Sequence, residues 1–127
     1  MRPRVSRDLL EMVFEASKDS HPYEFGALLR RNHGVIDEVL LLPGTISGTE
    51  SALFRLHMLP IDHTVAGSVH SHPSPHPTPS NADIQFFGRL GDVHIICAYP
   101  YDMSSWRAYN RKGEPIEVEV VEDGQPR

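Results

Sequence analysis

The chain has 127 residues and a formal charge of −5, with its basic residues scattered rather than clustered. A length of this order fits one domain, and a dispersed charge argues against a nucleic-acid partner. The lone Cys97 lies in an apolar run, which predicts a buried thiol and a reducing, cytoplasmic setting. No window approaches the roughly 20 apolar residues of a membrane span, so we expect no membrane partner.

The N-terminal half predicts a helix followed by a hairpin. Ser6 can cap a helix over residues 7–18 whose apolar stripe is Val5, Leu9, Met12 or Val13, and Ala16. Residues 24–30 predict a buried strand, and a turn at Asn32-His33-Gly34 leads to a second strand over residues 35–42. Residues 44–51 predict a polar loop beside a binding groove, and residues 52–56 a further strand.

The second half alternates strand, loop and helix. Residues 64–69 predict a strand with Val65 and Val69 facing a core, so that His70 and His72 share the other face. Four prolines in residues 73–79 exclude a helix there. Ser80 can cap a helix that ends near Gly91 with Ile84, Phe87 and Leu90 on its apolar face. Residues 93–99 predict an apolar strand, and residues 105–109 a hairpin with residues 116–120.

These elements predict an α/β domain over residues 1–121, with a curved mixed β-sheet flanked by helices, and a polar C-terminal tail over residues 122–127. The strand presents His70 and His72 at its end, and Asp83, in the first turn of the following helix, points back toward that end. Two imidazoles and one carboxylate are enough to bind one metal ion, and Zn²⁺ suits this donor set best.

Simpler interpretations apply to each part of this pattern alone. Asp83 three residues after Ser80 is also typical of a plain helix cap, and a His-x-His pair is often solvated. His76 is an alternative third ligand. His94 is the leading candidate to support a ligand through a hydrogen bond. The remaining histidines lack ligand spacing and are expected at the surface or in packing: His21, His33, His57 and His63.

The complete pattern resembles a known family. His70-Ser71-His72-Pro73, then Ser80 and Asp83, matches the JAMM motif of the MPN-plus metalloproteases, and Glu24 in His21-Pro22-Tyr23-Glu24-Phe25 lies in the setting of the glutamate that the motif requires upstream. The resemblance spans nearly the whole chain and is closest to the short archaeal members. It implies the MPN fold and a zinc hydrolase.

The resemblance also implies roles for single residues. His70, His72 and Asp83 would bind Zn²⁺, Glu24 would act as general acid and base on a water, and Ser80 would donate a hydrogen bond to the oxyanion. Glu24 also lies beside an apolar run, where desolvation raises the pKa of a carboxyl group. The expected substrate is a ubiquitin-like small modifier, cleaved after its C-terminal Gly-Gly.

Three rival functions have to be weighed at this point. The chain could be a JAMM hydrolase that processes a sulfur-carrier protein or its adduct, or a non-catalytic MPN scaffold with a structural zinc. A zinc nucleobase deaminase needs a P-C-x-x-C segment, which one cysteine cannot supply. A homodimer, in which the partner is a second copy of the chain, also stays open.

Overall fold

Eight strands form a single sheet in the computed structural model of the chain, which describes residues 2–41 and 64–122. The helices are α1 (Arg7–Ser20) and α2 (Asn81–Phe87). The strands are β1 (Arg4–Ser6), β2 (Gly26–Asn32), β3 (Val35–Leu41), β4 (Val65–His72), β5 (Val93–Ala98), β6 (Trp106–Tyr109), β7 (Pro115–Ile116) and β8 (Glu119–Val121).

The sheet is mixed and curled. Its strand order is β7-β6-β5-β4-β2-β3-β1-β8, with β1–β3, β1–β8 and β4–β5 parallel and the remaining neighbours antiparallel. β7 and β8 are opposite edges, yet Ile116 and Glu119 are only three residues apart and can be separated by no more than about 11 Å. The sheet therefore curls until its two edges approach each other, as the predicted curved mixed sheet required.

The two helices cover opposite faces of this sheet. Along β5, alternate side chains belong to different cores: Ile95 and Cys97 pack with the α1 side and Ile96 packs with the α2 side. The α1 core also contains Leu10 and Val13, whereas the α2 core is built on aromatic rings and aliphatic side chains: Phe86, Phe87, Tyr109, Leu28 and Leu90. The predicted burial of Cys97 is confirmed.

Helix α1 begins where the sequence predicted, with Ser6 accepting a hydrogen bond from the Leu9 N–H at 3.2 Å. Its buried face differs from the predicted stripe. Met12 is 45% exposed, and Val5 lies before the helix in β1, where it pairs with β3 and β8. The residues that α1 buries are Leu9, Leu10, Val13, Phe14 and Ser17.

A bulge in β4 corrects the predicted facing of its residues. Leu29 pairs with Gly67 but the next residue of β2, Arg30, pairs with Val65, so Ala66 is an extra residue. Val65 consequently packs in the α2 core, whereas Val69 packs in the α1 core. The prediction that Val65 and Val69 share a face was wrong, because the bulge reverses the alternation between them.

The predicted final hairpin is only partly present. β6 pairs with β7 at Ala108↔Ile116 and Tyr109↔Pro115. Beyond this point the chain leaves β6, and β8 pairs in parallel with β1 at the other edge, with Val5 opposite Val120. Helix α2 also ends at Phe87, earlier than predicted, although Leu90 is still buried.

Several predictions fall outside the described residues. They are the loop over residues 44–51, the strand over residues 52–56, the histidines His57 and His63, and residues 123–127 of the tail. Within residues 2–41 and 64–122, no helix is long and apolar enough to cross a membrane.

Candidate metal centre

The end of β4 places two imidazoles side by side. His70 and His72 are two residues apart on one strand and therefore project from the same face of the sheet, toward α2. Their Nε2 atoms are 3.2 Å apart. His70 is buried, and 14% of the His72 side chain is exposed, so the pair opens to solvent on the His72 side.

The first turn of α2 brings Asp83 to these rings. Its Oδ1 lies 3.4 Å from His70 Nε2, and its Oδ2 lies 3.5 Å from His72 Nε2. The carboxylate is fully buried, and Oδ2 accepts a hydrogen bond from the Ser80 N–H at 2.8 Å. The helix cap therefore also fixes the orientation of the carboxylate toward both rings.

These separations fit a tetrahedral zinc site. Zinc ligands at about 2.0–2.1 Å from the metal lie about 3.3 Å from one another. The two Nε2 atoms are 3.2 Å apart, and each lies 3.4 or 3.5 Å from a different oxygen of the Asp83 carboxylate, which is close to this spacing. Two imidazole nitrogens and one carboxylate oxygen are a ligand set that catalytic zinc sites use.

Unpaired polar atoms point to the same place. In the described part of the chain, the buried side-chain atoms with no hydrogen-bond partner are Glu24 Oε1, His70 Nδ1 and Asp83 Oδ1. All three belong to residues of this cluster, and the two carboxylate oxygens are atoms that a cation there could satisfy, whereas His70 Nδ1 lies on the side of the ring away from Asp83. Because burying a polar atom without a partner is costly, such a concentration indicates that a cation completes the site. The arrangement therefore fits Zn²⁺.

Glu24 reaches the cluster through strand register. Gly26 pairs with His70, so the residue two positions earlier projects toward the same face, near His72. One carboxylate oxygen of Glu24 and one ring nitrogen from each histidine lie within 4.8 Å of one another. Glu24 can thus act beside a metal or bind it directly, and the electrostatics of the two carboxyl groups separate these roles.

The environments of the two carboxyl groups drive their pKa values in opposite directions. Burial raises the pKa of Glu24, and the neighbouring rings of His70 and His72 offset this only in part. Asp83 is also desolvated, but its contacts with both rings and with the Ser80 N–H hold the pKa of Asp83 far below its usual range. Asp83 is therefore held ionised, as a metal ligand must be, and the raised pKa of Glu24 suits a group that exchanges protons.

The proline loop supports His72. The Nδ1–H of His72 donates to the carbonyl oxygen of His76 at 3.1 Å, which leaves Nε2 free to face Asp83. Burial opposes the charge on this ring, but the contacts with Asp83, His76 and Glu24 raise the pKa of His72 overall. His76 contributes its backbone here, and its side chain is exposed.

His94 is a packed, neutral histidine. Its Nε2–H donates to the Gly91 carbonyl at 3.1 Å, its Nδ1 accepts from the Ser68 hydroxyl at 2.8 Å, and its ring stacks on Phe87 with centroids 4.2 Å apart. Burial lowers its pKa to about 4. Both ring nitrogens of His94 bond to other residues and Phe87 lies between His94 and His70, so the predicted hydrogen bond from His94 to a candidate ligand is not present.

Ser80 lies at the N-cap of α2, where its hydroxyl accepts from the Asp83 N–H at 3.1 Å. The interpretation as a helix cap is therefore correct. Accepting this bond uses a lone pair of the hydroxyl and leaves its hydrogen for another partner. The cap and an oxyanion donor are compatible in one side chain, and the catalytic role of Ser80 stays a prediction.

Sequence reasoning missed two residues near the site. Ser71, between the two histidines, bonds to the backbone beside Glu24. Tyr101 is buried in the left-handed region at a φ of 65°, and its hydroxyl bonds to His21 Nδ1 at 2.7 Å. The position of Ser71 between two candidate ligands was a usable signal. No local pattern singles out Tyr101.

Comparisons with known proteins agree with this geometry. A family model described as prokaryotic homologs of the JAB domain matches residues 6–109. A protein of Haloferax volcanii named as a probable metalloprotease is 38% identical over 128 residues, covering 93% of this chain and 79% of the relative.

Solved structures with the same fold include two close matches. A JAB1/MPN domain protein from Archaeoglobus fulgidus is 47% identical with a TM-score of 0.75, over 95% of this chain and 99% of that one. A structure described as a metalloprotease-like zinc site in the proteasome and signalosome is 44% identical with a TM-score of 0.77, again over 95% and 99% of the two chains.

Proposed function

The chain belongs to the prokaryotic homologs of the JAB domain, within the JAMM/MPN metalloproteases, and from this premise we propose that it cleaves after the C-terminal Gly-Gly of a ubiquitin-like small modifier protein. The bond is the peptide or isopeptide bond that follows the second glycine. The reaction is direct hydrolysis by water, with no covalent enzyme intermediate.

One observation carries this proposal. The Nε2 atoms of His70 and His72 are 3.2 Å apart, and the two oxygens of the Asp83 carboxylate lie 3.4 and 3.5 Å from one of them each. A carboxylate oxygen of Glu24 lies within 4.8 Å of a ring nitrogen of each histidine. Three donors for a metal and one nearby base are the arrangement that hydrolysis by an activated water requires. His70, His72 and Asp83 would hold the zinc.

Glu24 moves the protons. Bound zinc supplies Lewis acidity, which lowers the pKa of water from about 16 toward 7. The raised pKa of Glu24 makes its carboxylate a stronger base toward a proton of the attacking water. The same group, now protonated, donates to the leaving amine. The same half-buried carboxyl group is thus used twice in one turnover.

Ser80 acts on the developing oxyanion. Its hydroxyl is held at the start of α2 by the Asp83 N–H, so the side chain is oriented before substrate arrives. The hydrogen that the cap does not use is available to donate to the carbonyl oxygen as charge develops on it. Preorganised donors of this kind commonly supply about 3 to 4 kcal/mol of transition-state stabilisation.

The burial of the site supports a slender substrate. His70 and Asp83 are buried, and 14% of the His72 side chain is exposed. A carbonyl group can approach such a recessed site only if its own residues occupy little space. Two consecutive glycines, which lack side chains and adopt extended backbone easily, satisfy this condition.

The test uses zinc-loaded protein and three fusions, each ending in an extra peptide after the tail: a ubiquitin-like modifier with Gly-Gly, the same modifier with Ala-Ala, and a sulfur-carrier protein with Gly-Gly. Mass spectrometry identifies the cleaved bond. We expect cleavage of the first fusion after the second glycine, little cleavage of the Ala-Ala fusion, and none with a chelator present.

Other outcomes would contradict the proposal. Cleavage of the sulfur-carrier fusion alone would replace the modifier as substrate class. Equal cleavage of the Gly-Gly and Ala-Ala fusions would remove the tail as the determinant. If the protein binds zinc but cleaves none of the fusions, the result would support the alternative in which the zinc is structural.

A further inference from the structure

We infer that Ser71 is a positioning residue whose hydroxyl fixes the backbone beside Glu24, so that the Glu24 carboxylate faces the two histidines. The inference deepens the proposed function and rests on it, because it concerns the placement of the proposed base. Ser71 lies between His70 and His72, and its side chain projects from the opposite face of β4.

Two hydrogen bonds join Ser71 to Phe25. The Ser71 N–H donates to the Phe25 carbonyl at 2.9 Å, and the Phe25 N–H donates to the Ser71 hydroxyl at 2.8 Å. Ser71 is fully buried, so neither bond competes with bulk water. The residue that separates the two histidines is therefore tied directly to the residue that follows Glu24.

The second bond differs from a regular strand ladder. In an antiparallel pair, residues that exchange hydrogen bonds do so through N–H and C=O groups on both strands. Here the Phe25 N–H bonds to a side-chain oxygen, and regular pairing of β2 with β4 ends one residue earlier, at Gly26↔His70. The hydroxyl thus continues the link after the two backbones begin to diverge.

The carboxylate of Glu24 depends on this link. Its buried Oε1 has no hydrogen-bond partner among the described residues, so its position follows from the backbone on either side. On the N-terminal side, the Tyr23 N–H donates to the Ser20 carbonyl at 2.8 Å. On the C-terminal side, the Ser71 hydroxyl holds Phe25. Loss of the hydroxyl leaves Phe25 with only the backbone bond from the Ser71 N–H, so the segment that contains Glu24 can shift relative to both rings.

Ser71→Ala removes the hydroxyl but keeps the backbone bond to Phe25, so the variant should fold. Ser71→Thr keeps the hydroxyl and is the conservative rescue. Ser68→Ala is the matched control, since Ser68 is a fully buried serine of the same strand whose hydroxyl bonds to His94 instead. The experiment measures amide hydrogen exchange in the zinc-free proteins, and zinc stoichiometry, kcat and KM in the zinc-loaded proteins.

For Ser71→Ala we expect the Phe25 amide to exchange at least about tenfold faster, with Leu29 unchanged, because only the tether to the hydroxyl is lost. Zinc stoichiometry should stay at the wild-type value. The kcat on the Gly-Gly fusion should fall about 10- to 100-fold with KM within about twofold, since a small misplacement of a catalytic group has this effect. Ser71→Thr should restore both the exchange rate and kcat.

Unchanged exchange at Phe25 in Ser71→Ala would overturn the inference. Faster exchange with an unchanged kcat would also overturn it, as would an equal loss of kcat in Ser68→Ala, which would mark a general loss of strand stability. If the wild-type protein cleaves none of the Gly-Gly fusions, the proposed substrate fails separately, and the exchange rates of Phe25 in the two Ser71 variants alone decide whether the tether exists.

Discussion

Ser80 and Asp83 exchange two hydrogen bonds across the first turn of α2. The Asp83 N–H donates to the Ser80 hydroxyl at 3.1 Å, and the Ser80 N–H donates to Asp83 Oδ2 at 2.8 Å. This reciprocal pair stabilises the helix start and at the same time aims a carboxylate at two imidazoles. The cap of α2 therefore also orients the side chain of Asp83, the candidate metal ligand.

Ser80→Ala separates the cap from catalysis. If the hydroxyl also donates to the oxyanion, turnover should fall about a hundredfold or more. The loss of the cap should lower the free energy of unfolding by only about 1 kcal/mol. Steady-state kinetics and denaturant unfolding measure the two effects.

Ser6 provides the matched control for this variant, because it caps α1 with the same type of bond, to the Leu9 N–H. Ser6→Ala should show a similar loss of stability with normal turnover. Equal activities in the two variants would mean that Ser80 is a cap alone.

Glu24→Gln should bind zinc with wild-type stoichiometry and lose hydrolysis. Glutamine preserves the shape of the side chain but cannot accept and return a proton, and such groups contribute about 10²- to 10⁴-fold in rate. Metal analysis and turnover of the Gly-Gly fusion check this. Glu38→Gln, at an exposed position of β3, is the control. Retained hydrolysis, or loss of the metal together with activity, would show that Glu24 is not a base outside the ligand set.

Asp83→Asn should weaken zinc binding by at least about tenfold, because a neutral amide replaces an ionised ligand that the structure places 3.4 and 3.5 Å from the two rings. Competition with a chromophoric chelator measures the affinity. Asp92→Asn changes an exposed aspartate that pairs with Arg111 and should leave the affinity unchanged. Unaltered binding in Asp83→Asn would assign the third ligand to Glu24 or His76 instead.

His94 should make the zinc-free protein less stable in mild acid. Burial lowers its pKa in the folded state to about 4 from an ordinary value of 6.5. Between these two values the unfolded chain binds more protons at His94 than the folded chain does. The contribution of His94 to the free energy of unfolding is therefore fully present above pH 6.5 and is lost as the pH drops toward 4. This group alone accounts for a loss of about 3 kcal/mol across the window.

His94→Gln isolates this effect. The variant keeps every other titrating group, so its unfolding free energy should depend less steeply on pH between 4 and 6.5, by at most about 1.4 kcal/mol per pH unit. Denaturant unfolding at several pH values in this range measures the slope. Identical slopes for the two proteins would show that His94 is not held neutral in the folded state.

Much of the site was predictable because its chemistry is local in sequence. His70 and His72 share a face by strand alternation, and Asp83 lies in the first turn of a helix that Ser80 begins. The structure brings these residues together with Glu24 as the motif implied. The two hydrogen bonds between Ser71 and Phe25 were not predictable, since they depend on where the pairing of β2 and β4 ends.

The parts of the fold that prediction missed depend on distant partners. Val5 fits an amphipathic helix by its spacing, yet its backbone pairs with β3 and with β8, which are both distant from it in sequence. The alternation of residues 116–120 is the same whether one strand or two form, and only the curl of the sheet decides that β8 joins β1. The bulge at Ala66 is likewise set by pairing across the sheet.

Next to that bulge, the backbone of β4 lies unusually close to the backbone at the start of β5. A Cβ atom on Gly91, whose φ is 68°, would lie 2.1 Å from the Ala66 carbonyl oxygen, and one on Gly67 would lie 1.7 Å from the Val93 carbonyl oxygen. Any side chain at either glycine would force β4 and β5 apart just below the histidines. A homologue that has every candidate metal-binding residue could therefore be inactive because alanine replaces one of these two glycines.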